Sequence, residues 1–388
     1  MIIAFSLCIS TFFGFFLLLF LYIDNIKKWV YNWSCDTQKY TPIFKELFPL
    51  YLDYNEFMPQ CQAAPPEQAE RLVDEGGRID WRGKKLANEN LALAFSAFDK
   101  SKAERLATCS TFLQFKLYAN GERKLSSMNS CHVRLCPICS WRRSLKVYAN
   151  IRRVSEYLTE KHNRRYVLVT LTVPNCTGEK LNEVLDHMYK AFNRFNQLKA
   201  IKSAFTGFYR ALEVTRNCDP KSPLYGTYHP HFHCLFSVKK SYFNSRYYLR
   251  QEIIVKLWER SMRRSAVNHL WFRVPDPVIP WQVDVRRVRG DLGKSCAEVA
   301  KYTVKSDDII VPEDLNLASD VARTLDRALE RRRLISYGGE LSEARRALAL
   351  DDEETCDLVH IENDVPTEED YCVVNYFWFS GFRDYYSF

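Results

Sequence analysis

The chain has 388 residues, 47% hydrophobic and 26% charged, a balance that excludes wholesale disorder and leaves room for two or three folded units. Its formal net charge of +8 is unevenly spread: Cys131 to Arg165 holds nine Lys or Arg against Glu156 and Glu160, whereas Asp351 to Asp370 holds ten acids and no Lys or Arg. A basic block beside a separate acidic segment points to a polyanionic partner held by one region, with a solvated helix face as the alternative.

Residues 1–23 carry no charge and are long enough to span a bilayer, which takes about 20 apolar residues. No basic stretch precedes them and no clear small-residue cleavage site follows, so a cleaved secretory signal fits poorly. Lys27 and Lys28 would keep the remainder cytoplasmic. Two readings stand, an N-terminal membrane anchor or an extension ahead of the working translation start. Residues 24–80, with Pro65 and Pro66 in a polar stretch, read as an appendage and linker. Leu86, Leu91, Leu93, Ala94 and Phe98 predict a helix over 84–98, and a cysteine-bearing module occupies 81–150. Residues 166–174 alternate Val167, Val169, Leu171 and Val173 against Thr170 and Thr172, as a strand does. Leu181, Val184, Leu185, Met188, Phe192 and Phe195 stripe one face of a helix. Strands are predicted over 208–216 and 231–238, antiparallel because only a turn-rich loop joins them. A helix over 247–262, a strand over 281–289 and a helix over 295–306 complete a domain at 151–310. Its class is α+β, an antiparallel sheet with helices packed on it. Residues 311–388 are expected to form a helical region and acidic tail, and the aromatic end VVNYFWFSGFRDYYSF suggests no role.

The stretch YHPHFHCLF, residues 228–236, concentrates three of the eight histidines. On a strand His231 and His233 share one face while Phe232, Cys234 and Phe236 turn toward the core. Two imidazoles on one face supply half of a divalent metal site, although solvated or hydrogen-bonded histidines would show the same pattern. Pro230 has no amide hydrogen for a ladder, so the strand is expected to begin after it, with His229 off this face. Glu213, between Leu212 and Val214 in the preceding strand, could complete a three-ligand site across an antiparallel pair, the alternative being an exposed strand glutamate.

In EVAKYTVK, Glu298, Tyr302 and Lys305 fall at i, i+4 and i+7 and would line one helical face. A phenol between a carboxylate and an ammonium is suggestive chemistry, yet the pattern is ordinary on exposed helices. Thirteen cysteines at uneven spacing do not suit a secreted disulfide scaffold. Four of them, Cys109, Cys131, Cys136 and Cys139, include the tight C-P-I-C pair of a zinc knuckle and predict a closed, structural four-thiolate zinc site, with His132 as the competing ligand. Arg134, Arg142, Arg143 and Lys146 would then stand on a metal-stiffened platform suited to DNA phosphates.

Taken together and in order, VLVTLTVPN, YHPHFHCLF and EVAKYTVKSDD resemble the three motifs of rolling-circle plasmid replication initiators, the plasmid Rep class of HUH endonucleases. DWRGKKLAN, CHVRLCPICSWRRSLK and ISYGGELSEARRALALDD extend the resemblance over about residues 80–360. The resemblance implies an HUH endonuclease fold, a ferredoxin-like central antiparallel sheet flanked by helices, with the zinc module N-terminal to it. It also implies roles: His231 and His233 as the metal pair for Mg²⁺ or Mn²⁺, Tyr302 as nicking nucleophile, and Glu298 as the carboxylate that stands where other types carry a second tyrosine. Glu213 is the expected third metal ligand, and Lys305 is expected to stabilise the phenolate or contact phosphate. The implied substrate is plasmid origin DNA, single-stranded or in a hairpin, with host helicase and DNA polymerase as partners, and membrane contact is available only through residues 1–23. The expected activity is nicking and rejoining through a 5′-phosphotyrosine intermediate in the cytoplasm. Competing readings are a zinc-stabilised DNA-binding regulator without catalysis and a metal-dependent nuclease that uses water directly.

Overall fold

Two five-stranded sheets organise the chain in the computed structural model, which describes residues 68–73, 79–265, 282–300, 304, 309, 314–361 and 370–387. Apart from Phe379–Phe382, these belong to one unit that comprises Pro66–Trp378 and Arg383–Phe388. The apolar segment 1–23 lies outside the described residues, among which no helix is long and apolar enough to cross a membrane.

The chain begins with β1 (Glu70–Arg71), α1 (Trp81–Ser96), α2 (Lys100–Thr108), the hairpin β2 (Phe112–Tyr118) and β3 (Arg123–Met128), and α3 (Pro137–His162). Asp80 and Asp99 start α1 and α2 by accepting hydrogen bonds from the amides of Gly83 and Lys102. The first of these helices thus begins ahead of the 84–98 span expected from its apolar stripe. Cys136 starts α3 with Pro137 in the first turn, where a missing amide hydrogen costs nothing. Asn163, at φ +50, ends α3 and turns the chain directly into the next strand.

There follow β4 (Arg164–Thr172), α4 (Gly178–Gln197), α5 (Lys199–Ala204), β5 (Gly207–Arg216), β6 (Tyr228–Lys239) and α6 (Gln251–Ser265). The chain continues through β7 (Val283–Arg287), α7 (Leu292–Val299), α8 (Leu315–Leu329), β8 (Ile335–Gly339), α9 (Glu340–Ala347), β9 (Tyr371–Phe379) and β10 (Asp384–Ser387). The central sheet has the order β7-β4-β6-β5-β8 and is antiparallel throughout. Gly339 joins β8 to α9 at φ +57, and a Cβ there would lie 2.4 Å from the carbonyl oxygen of Thr206. Only glycine fits so close an approach.

Helices cover both faces of this sheet. On one, Phe208 and Phe232 meet Phe192 of α4, and Phe232 meets Trp258 of α6; full burial of such side chains stabilises by about 1.5–3 kcal/mol each. On the other, the Tyr166 hydroxyl donates to the carbonyl of Ser155 in α3, and the Tyr209 hydroxyl donates to that of Val299 in α7. This second face carries Thr170, Thr172, Ala211, Glu213, His231 and His233.

Pro230 does not delay the strand. β6 runs from Tyr228, so His229 lies on the same face as His231, contrary to the expectation from proline chemistry. The reason is that β4 ends at Thr172 opposite His231 and pairs again only through the isolated bridge from Cys176 to Tyr228. No ladder hydrogen bond is asked of Pro230 on that side. The second sheet, β1-β10-β9-β2-β3, gives structure to the aromatic C-terminus, which pairs with the cysteine module through β2, Phe112 to Tyr118 opposite Phe377 to Tyr371.

Candidate functional site

Register brings the histidine strand and Glu213 together. Across β5 and β6, Glu213 is the direct partner of His231 and Ala211 that of His233. The Glu213 Oε2 atom lies 3.2 Å from His231 Nε2 and 2.7 Å from His233 Nε2, and the two nitrogens are 3.1 Å apart. Three donors bound to one octahedral ion at about 2.1 Å would be separated by about 3.0 Å when adjacent. The triangle therefore fits a cation held on three neighbouring positions, with others left open. His231 Nδ1 lies 3.2 Å from the His229 carbonyl, to which it donates, so that Nε2 would present its lone pair to a cation that took the place of the proton it shares with Glu213. His233 Nδ1 is steadied by the Thr170 hydroxyl at 3.4 Å. Burial opposes ionisation of Glu213, but hydrogen bonds from His231 and His233 outweigh it and hold the carboxyl well below its usual range.

The same face receives α7. Tyr209, four residues before Glu213, anchors the carbonyl of Val299, and Glu298 pairs with Arg286, which also bridges Asp284 at 2.6 Å. Tyr302 and Lys305 lie outside the described residues. The helix expected over 295–306 is described from Leu292 to Val299.

A second cluster lies in the cysteine module. Cys109 Sγ is 3.7 Å from both Cys136 Sγ and Cys139 Sγ, and Cys131 Sγ is 3.7 Å from Cys139 Sγ. A tetrahedron with metal to sulfur distances of about 2.3 Å has edges of about 3.8 Å. That match suits a four-thiolate ion, whereas a disulfide would need about 2.05 Å. His132 is exposed, at φ +53, and its Nε2 meets the Ser130 hydroxyl, so it stands apart from the four sulfurs. Burial pushes the Cys136 thiol up, while hydrogen bonds from Cys109, then Cys131 and Cys136, pull Cys139 far down. Close by, Lys85 is fully buried and donates to the carbonyls of Ala107 and Cys109 at 2.6 and 2.8 Å. Its ammonium would offset the surplus negative charge of four thiolates around a divalent ion, and burial, the largest influence, lowers its pKa. Sequence reasoning passed over Lys85; the available signal was a lysine within an apolar helical stripe.

The four basic residues expected to meet DNA have different surroundings. Arg142 is 8% exposed and donates to the carbonyls of Leu358 and Val359, and Lys146 donates to that of His360. Arg134 donates to the Arg332 carbonyl at 2.6 Å and lies 3.7 Å from Glu354. Arg143 is half-buried and faces a cavity beside the histidine face.

Comparison with known proteins gives a consistent result. A family model described as replication protein, Rep_1, matches residues 122–386. The chain is similar to a protein rep of Bacillus amyloliquefaciens, 36% identical over 80% of this chain and 94% of that protein. It is also similar to proteins rep of Lactiplantibacillus plantarum, 34% identical over 76% of this chain and 90% of the other, and of Streptococcus pneumoniae serotype 2, 33% identical over 76% and 88%. No solved structure matches.

Proposed function

This chain belongs to the replication protein family of plasmid Rep initiators, and from that premise we propose that it starts rolling-circle replication by nicking, and later rejoining, one strand of plasmid origin DNA. In this reading the central sheet is an HUH endonuclease sheet and the four-cysteine cluster holds a structural Zn²⁺. The observation that carries the proposal is the convergence of Glu213, His231 and His233 on one sheet face, the face that also anchors the helix leading into Tyr302.

Glu213, His231 and His233 would hold Mg²⁺ or Mn²⁺, which supplies Lewis-acid polarisation of a phosphate oxygen and offsets transition-state charge. The Tyr302 hydroxyl attacks the scissile phosphorus in line, a bond forms from phenolic oxygen to phosphorus, and the bond from phosphorus to the 3′ oxygen breaks. The departing 3′ oxygen takes a proton and becomes the primer end for a host polymerase, while the 5′ end stays on the protein. A host helicase then opens the duplex ahead. Lys305 favours the phenolate or contacts phosphate. At termination Glu298, positioned by Arg286, takes a proton from a water that cuts the regenerated nick site; the 3′ hydroxyl so freed attacks the phosphotyrosine, the bond from phosphorus to the phenolic oxygen breaks, and the strand is rejoined without a second tyrosine.

The test is a single-stranded origin oligonucleotide labelled at its 3′ end and incubated with protein and Mn²⁺. A labelled band that survives denaturation is expected from the parent and is lost on Tyr302→Phe. Cutting by the variant at the parent rate, with no protein-linked product, would favour direct attack by water.

A further inference from the structure

Beside the histidine cluster, on the same sheet face, a cavity of about 180 Å³ opens between β5, β8 and the first turns of α3. Ala211, Ala300 and Ile335 line it with small or apolar surface, Arg143 and Ser144 of α3 provide polar groups, and Thr355 stands at an exposed position on it. Ala211 is the direct cross-strand partner of His233, so their Cβ atoms are about 4.5–5.5 Å apart. Ala300 precedes Tyr302 by two residues. The cavity therefore adjoins the strand pair that carries the histidines and has on its wall a residue close in sequence to Tyr302.

Its charge is distinctive. Arg134 and Glu354 both line it but are already engaged, Arg134 by the Arg332 carbonyl and by Glu354 at 3.7 Å, and Glu354 also by the amides of Leu334 and Ile335, whereas Arg143 makes no ion pair among the described residues. A guanidinium above a small apolar floor suits one phosphodiester with its sugar. His132 is the one aromatic ring among the described residues that line the cavity, and its Nε2 is turned to the Ser130 hydroxyl. We propose that this cavity seats the nucleotide adjoining the scissile phosphate of the single-stranded substrate, with Arg143 on its phosphate and Ala211, Ala300 and Ile335 against its sugar; the Ser144 hydroxyl is held by the Trp141 carbonyl at 2.8 Å. The inference rests on the nicking reading. It makes the cysteine module a wall of the reaction site, because α3 begins on Cys136 and delivers Arg143 two turns later. It also divides the basic residues of α3: Arg143 serves the strand, while Arg142 and Lys146 secure the segment around Leu358 to His360.

The experiment measures binding of a labelled single-stranded oligonucleotide that spans the nick to the full chain carrying Tyr302→Phe, over a salt series. Adding Arg143→Ala should weaken binding about 10-fold or more and flatten the slope of log affinity against log salt by about 0.7. Thr355→Trp, a change at an exposed position, should weaken binding as well by filling the mouth, with zinc content and melting temperature unchanged. Arg152→Ala, on the same helix but paired outward with Glu156, should leave binding as it was. If Arg143→Ala and Thr355→Trp both keep parental affinity and slope while the Tyr302 protein still forms its Mn²⁺-dependent adduct, the subsite is wrong and the nicking reading stands. If the Tyr302 protein forms no adduct, the nicking reading falls and the subsite with it.

Discussion

Replacing Cys136 by serine removes one corner of the sulfur tetrahedron. Cys136 is fully buried, its sulfur lies 3.7 Å from that of Cys109, and it starts α3 by accepting from the Cys139 amide. A structural zinc in such a set contributes about 10–16 kcal/mol at neutral pH, against about 5–15 kcal/mol for the whole stability of a domain. Losing the ion would therefore unfold the module rather than loosen it. Trp81 of α1 and Trp141 of α3 report on this directly, since they pack edge to face at 4.9 Å and are 3% and 8% exposed. Metal analysis by plasma mass spectrometry should find about one zinc per parent chain and a large deficit in Cys136→Ser, with tryptophan emission shifted to longer wavelength. A variant that keeps the parent's zinc and emission, or a parent without zinc, would refute the reasoning.

Other consequences concern the site and the sheet that carries it. Glu213→Gln keeps the shape of the side chain but removes its charge, and should lower Mn²⁺-dependent nicking by at least about 100-fold, with a higher Mn²⁺ midpoint in a titration. Trp258→Phe deletes the hydrogen bond from Nε1 to the Thr172 carbonyl at 2.8 Å and leaves space in a fully buried site; urea denaturation should show a loss of about 1–3 kcal/mol. Burial of Glu340 opposes its charge, but Arg164 more than compensates and sets its pKa below the ordinary value. Because the folded pKa is the lower one, this stabilisation is present above the unfolded value of about 4.3 and is lost as pH falls through the folded value. Glu340→Gln should then cost at most about 1 kcal/mol at pH 7, the pair being partly exposed, and its stability should converge with the parent's in acid.

Local pattern made much of the site legible. Alternation along 228–236 and the spacing of Cys136 and Cys139 are short-range signals, and the strand pairing needed only a turn-rich loop to be read as antiparallel. What escaped depended on distant partners. Pro230 is harmless in β6 because β4 ends opposite His231, a fact written in another strand. The aromatic C-terminus pairs with β2 far back in the chain, and nothing local in VVNYFWF names that partner. The sequence grouped Arg134, Arg142, Arg143 and Lys146 on one platform for phosphates, yet carbonyls of distant segments take up three of them and leave Arg143 at the cavity. Ala211 carries no chemical signature at all; its position opposite His233 alone gives it meaning.

The most direct measurement of the central claim is to digest the Mn²⁺-dependent DNA adduct with protease and nuclease and to locate the residual nucleotide by tandem mass spectrometry. A 5′-linked nucleotide on the phenolic oxygen of Tyr302 is the expected result. A nucleotide attached to any other residue of the chain would contradict the account.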